Sequence, residues 1–154
     1  MSYLIRLVEV VVIVLMGTIT AVVIAEVFLR GLAGTSLIIT DELSRYLMIW
    51  TALLAAAVVV YEDGHIRTTV LTDAMPPRVA LISYVVADLI VLCFLFAVVF
   101  YSIVLIAAVR EQDTVTLGVS MLWFYAALPV SGALMFVLTA RALVLRVLKY
   151  RRPE

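Results

Sequence analysis

Apolar residues along this chain are gathered into four long runs separated by short polar stretches, with neither the period of an amphipathic helix nor the alternation of a half-buried strand. The first run extends from about Leu7 to Leu29, the second from Leu43 to Tyr61, the third from Val79 to Val109 and the fourth from Met121 to Leu148. The second is the shortest. At 1.5 Å per residue it still makes roughly 28 Å of helix, close to the thickness of a bilayer's hydrocarbon core. The third makes roughly 46 Å, so it is expected to tilt or to project into water. The pattern predicts an all-α integral membrane protein, a single membrane domain over residues 1–154 with four transmembrane helices.

The polar stretches punctuate the runs. Gly31, Gly34, Thr35 and Ser36 form a loop. Thr40 can cap the second helix, and Asp41 and Glu42 then lie in its first turn, where the helix dipole favours acids. Gly64 ends that helix. Val70, Leu71, Ala74 and Met75 then share one face opposite Thr69 and Asp73, which predicts a short interfacial helix between helices two and three, stopped at Pro76 and Pro77. A polar loop from Arg110 through Glu111 to Ser120 precedes the fourth helix, which opens with Trp123 and Tyr125 at an interfacial aromatic belt and carries Pro129 and Gly132 inside.

Composition reinforces the membrane reading: 66% of the 154 residues are hydrophobic, and the mean hydropathy is +1.24. The apolar run after Arg6 is too long for a signal peptide, contains Glu9 and lacks a small-residue cleavage site, so it reads as a retained helix. Five of the eleven basic residues are Arg141, Arg146, Lys149, Arg151 and Arg152 near the C-terminus. Four spans put both termini on one side. With both termini cytoplasmic, eight basic residues face the cytoplasm and three (Arg30, Arg45 and Arg110) face outward. That bias sets the orientation, with the charged start of helix two outside and His65 inside.

Candidate chemistry is sparse. One cysteine, Cys93, and one histidine, His65, provide no disulfide framework, redox pair, thiolate metal site or bis-histidine haem anchor. No catalytic, cofactor or metal set is expected, and the basic tail reads as a topology signal and a contact for membrane lipids rather than for nucleic acid. Asp88 is the lone charge inside helix three. It is either a functional intramembrane acid or one half of an ion pair, with Arg141 near the end of helix four as the candidate partner. Gly17, Ala21 and Ala25 lie four apart on one face, and Ala52 and Ala56 do the same on helix two. Each set is either a surface for close helix packing or ordinary membrane-helix composition. Glu26 and Arg30 make a local pair. Asp41, Glu42 and Arg45 are either an ordinary helix start or a charged patch for a water-side partner. Arg30, Arg110 and Glu111 join them as docking candidates on the outer side. Four helices with no broken segment are hard to build into a carrier core. The competing reading is a self-sufficient four-helix proton-coupled exporter acting as a dimer, with Glu26 or Asp88 as the proton carrier.

The run Asp41-Glu42-Leu43-Ser44-Arg45-Tyr46, then Trp50, Gly64-His65-Ile66, Asp73, Pro76 and Pro129-Val130-Ser131-Gly132 resembles the small membrane subunit, DctQ-like, of tripartite ATP-independent periplasmic (TRAP) transporters. The resemblance covers nearly the whole chain. This chain departs from the family pattern at Ile39, Ala55 and Ser120, where tryptophan, glycine and proline are usual. The resemblance implies a bacterial inner-membrane subunit that does no chemistry of its own. It would brace a large membrane subunit carrying substrate and sodium sites, and help a periplasmic solute-binding protein deliver organic acids for uptake driven by an ion gradient.

Overall fold

The computed structural model of the chain describes residues 2–33, 38–63 and 76–151. Five helices occupy them: α1 (Ser2–Ala33), α2 (Ile38–Asp63), α3 (Pro77–Val109), α4 (Leu122–Tyr125) and α5 (Ala127–Arg151). Four stretches are long and apolar enough to cross a membrane: Tyr3–Leu32, Ile39–Glu62, Val79–Val109 and Leu122–Leu148. The helices run past the apolar windows because charged and polar residues continue a helix readily once it has left lipid. The interfacial helix expected over residues 70–75, with Gly64, His65, Ile66, Arg67 and Asp73, lies outside the described residues, as do Gly34, Thr35 and Ser36.

Pro76 and Pro77 start α3. The Pro76 carbonyl accepts from Val79 N–H at 2.9 Å and Ala80 N–H at 3.1 Å, and Pro77 takes the first helical position, where a missing N–H costs nothing. The fourth span, read from the sequence as one helix, divides at Ala126 into the single turn α4 and the long α5. Pro129 explains the division. It has no N–H for the Tyr125 carbonyl and its ring crowds that group, so it sits in the first turn of a new helix rather than inside a continuous one.

Among the described residues, α1 packs on α2, α2 on α5, and α5 on α3. The spans therefore stand in a row, α1–α2–α5–α3, rather than closing into a bundle. The least exposed positions of α1 are Ile5, Val8, Val12, Leu15, Ile19, Val22 and Glu26. Their alternating three- and four-residue spacing is the seam of a two-helix coiled coil, here turned toward α2. At the other edge, Gly132 lets α5 approach α3 closely: a β-carbon there would meet Val99 Cγ2 at 3.0 Å. Two buried hydroxyls, those of Thr51 and Ser131, are satisfied within their own helices, as lipid favours. Thr51 Oγ1 donates to the Leu47 carbonyl at 2.7 Å, and Ser131 Oγ donates to Ala127.

Candidate functional site

The charged start of α2 is where the structure concentrates contacts between distant parts of the chain. Residues 110–121 form a compact hairpin between α3 and α4. Asp113 and Ser120 pair as an antiparallel bridge, and Thr114 N–H donates to the Val119 carbonyl at 2.9 Å. Gly118 closes the turn at φ 62°, in the left-handed region where a residue without a β-carbon fits best. Ser120 Oγ donates to the Arg110 carbonyl at 3.1 Å and accepts from Leu122 N–H at 3.3 Å. It thus ties the hairpin to both flanking helices.

One face of α2 holds this hairpin. Glu42, Tyr46 and Trp50 are spaced by four and so stand in line. Glu42 Oε2 accepts from the Thr116 N–H at 2.9 Å and from the Leu117 N–H at 3.3 Å. Tyr46 O–H donates to Glu42 Oε1 at 3.3 Å, and its ring stacks on Phe124 with centroids 3.6 Å apart. Trp50 Nε1 donates to the Trp123 carbonyl at 3.2 Å. A carboxylate accepts only, so the converging N–H and O–H donors suit it.

The docking candidates therefore divide. Glu42 is half-buried and turned into the chain, so the patch expected from the sequence loses one of its acids to internal bracing. Asp41 and Arg45, four apart on a neighbouring face, are exposed, as are Arg110 and Glu111. Arg30 is exposed too, and its Nη2 lies 2.7 Å from Glu26 Oε1. Glu26 itself is buried, because it occupies the last position of the α1 seam.

The membrane-embedded acid Asp88 is buried at 1% exposure. Arg146, which the sequence reading does not name as a partner, pairs with it, its Nη1 2.5 Å from Asp88 Oδ2. The register set by Gly132 against Val99 accounts for Arg146. Stepping from Val99 back to Asp88 on α3, and equally far forward from Gly132 on antiparallel α5, arrives at Leu143. Arg146 lies three residues on and shares that face. Tyr84, one turn before Asp88, adds a ring 5.1 Å beneath the Arg146 guanidinium.

Gly17, Ala21, Ala25, Ala52 and Ala56 are all exposed. Among the described residues neither small-residue face is used between helices. Within α2 the buried positions are instead Thr40, Thr51, Leu54 and Ala57. The sequence reading did not find Thr116, Leu117, Trp123 or Phe124 as partners of α2. The usable signal was the four-residue spacing of Glu42, Tyr46 and Trp50, which puts polar tips of three side chains in one line.

Comparison with known proteins adds the following. A family described as "Tripartite ATP-independent periplasmic transporters, DctQ component" matches residues 19–149. A Haemophilus influenzae (strain ATCC 51907 / DSM 11121 / KW20 / Rd) protein named, by inference, a TRAP transporter small permease protein is 34% identical over 89 residues, covering 56% of this chain and 55% of that protein. The chain thus spans little more than half the length of this relative. The sialic acid TRAP transporter small permease protein SiaQ of Vibrio cholerae is 24% identical over 127 residues, covering 82% of this chain and 73% of that one. The sialic acid TRAP transporter permease protein SiaT of Haemophilus influenzae (strain 86-028NP) is 27% identical over 114 residues, which are 74% of this chain and 18% of that far longer protein.

Proposed function

Because this chain belongs to the DctQ component family of tripartite ATP-independent periplasmic transporters, a family of multi-pass proteins of the bacterial inner membrane, we propose that it braces a large transport subunit and helps a periplasmic solute-binding protein dock. The observation that carries this reading is the open row of spans. Among the described residues α1 packs on α2 alone and leaves long apolar flanks and both small-residue faces uncovered, as a subunit built to lean on another membrane protein would. SiaT supports a large membrane partner, since the segment similar to this chain makes up 18% of that permease polypeptide.

In this reading the termini are cytoplasmic, and Asp41 and Arg45, with Arg30, Arg110 and Glu111, form the periplasmic docking rim. Glu42 holds the hairpin of that rim in place. The large subunit carries the substrate and sodium sites, and an organic acid enters with an ion gradient. The sialic acid in the names of two relatives fits an acidic substrate class. A self-sufficient proton-coupled exporter gains no support, because its candidate carriers Glu26 and Asp88 are held in ion pairs with Arg30 and Arg146.

The test is reconstitution into liposomes under an inward sodium gradient. Uptake is expected when this chain, the large subunit and the binding protein are all present, with none from this chain alone. Transport by the chain alone overturns the proposal.

A further inference from the structure

A cleft of about 470 Å³ opens between the end of α1 and the start of α2, lined by Val23, Glu26, Val27, Arg30, Gly31, Asp41 and Ser44. Its composition is unusual for a groove between two spans. Val23 and Val27 line it with apolar surface, and Glu26, Arg30, Asp41 and Ser44 add two acids, a guanidinium and a hydroxyl. Glu26 is more than nine-tenths buried. Ser44 Oγ is buried with no hydrogen-bond partner among the described residues, and a buried hydroxyl left unpaired marks a place where a polar group belongs. Arg30 leaves 62% of its side-chain surface open, on a group with five N–H donors.

These features define the chemistry of a ligand. A bare metal ion is disfavoured by Arg30 standing 2.7 Å from Glu26. A simple anion meets Glu26 and Asp41. A molecule carrying both signs satisfies the cleft: an ammonium toward Asp41 and Ser44, a phosphate toward Arg30, and an apolar tail along Val23 and Val27. The cleft lies where two membrane spans reach the interface, which is the depth of lipid head groups. We propose that it binds the head group of a phospholipid with a primary amine, that is, a phosphatidylethanolamine-type lipid. The primary ammonium donates up to three hydrogen bonds, which a quaternary choline head group cannot do.

The test uses the full chain in nanodiscs containing equal parts of phosphatidylethanolamine and phosphatidylcholine with matched acyl chains, followed by native mass spectrometry of the lipids retained. Wild type is expected to keep one phosphatidylethanolamine in preference by about tenfold, the scale of one charge-assisted hydrogen bond. Asp41→Asn is expected to lose that preference. Val27→Trp fills the cleft without touching its charges and is expected to lose the bound lipid altogether. Soluble phosphoethanolamine at the same concentration is expected not to compete. Equal retention of the two lipids by wild type overturns the proposal without reference to any variant. So does an unchanged preference in a folded Asp41→Asn protein, or full competition by the soluble head group. None of these measurements involves transport, so failure here is separate from failure of the docking role.

Discussion

The Thr116 amide donates to the Glu42 carboxylate at 2.9 Å, across 74 positions of sequence. This bond, with its neighbour from Leu117, joins the N-terminal part of α2 to the hairpin that leads into the fourth span. It turns an acid at a helix start into a latch between two parts of the chain. Removing it is the most direct way to loosen the hairpin while leaving the spans intact.

Glu42→Ala is expected to free the hairpin. The variant removes the carboxylate that accepts both hairpin amides. Exchange of the Thr116 and Leu117 amides, followed by hydrogen–deuterium exchange in detergent, should therefore speed up by roughly tenfold or more. Unchanged exchange there means the hairpin holds itself.

The Asp88–Arg146 pair sits between α3 and α5, with the acid fully enclosed. Arg146→Leu takes a charged partner from that buried carboxylate and should cost about 3–5 kcal/mol. Adding Asp88→Leu should recover most of the loss, since two apolar groups can replace a buried pair. Thermal unfolding of the three purified variants decides it: a double variant no more stable than Arg146→Leu removes the ion pair as the cause.

Close approach of α5 to α3 depends on Gly132. Gly132→Leu should destabilise the helix pair by about 1–3 kcal/mol through overpacking. Val99→Ala in the same chain should return part of it, because Val99 supplies the nearest atom. Folded yield and melting temperature report both effects, and equal loss with and without Val99→Ala places the clash elsewhere.

Arg45 is exposed on the face of α2 next to the one that grips the hairpin. Under the docking role, Arg45→Glu should reduce uptake supported by the binding protein severalfold, while membrane insertion and assembly stay intact. Salt should narrow the difference, since exposed charges are screened over about 8–10 Å at physiological ionic strength. Full uptake by the variant argues against docking through this rim.

Ala21 faces outward from the α1–α2 seam. Ala21→Phe should leave the isolated chain as stable as wild type and disrupt co-purification with the large subunit, if that small-residue face is where the subunit leans. Intact co-purification moves the contact to another flank.

The sequence by itself determined the four spans, their approximate limits and the membrane class, because hydropathy is summed over neighbouring residues and needs no knowledge of the fold. The motif order around Asp41–Tyr46, Trp50 and Pro129–Gly132 was enough to indicate the family that the comparison then showed. The tertiary structure alone decided which sides of the helices meet. In water, an apolar stripe announces the buried face of a helix. In lipid the outer face is as apolar as the inner one, so α1 and α3 carry no such stripe and their partners are chosen by shape and by a few polar bonds. Those bonds join residues far apart in the chain: Glu42 to Thr116, Trp50 to the Trp123 carbonyl, Asp88 to Arg146. Charge pattern could nominate Asp88 and an arginine of the last helix. The α3–α5 register, fixed where Gly132 meets Val99, brings Arg146 to Asp88.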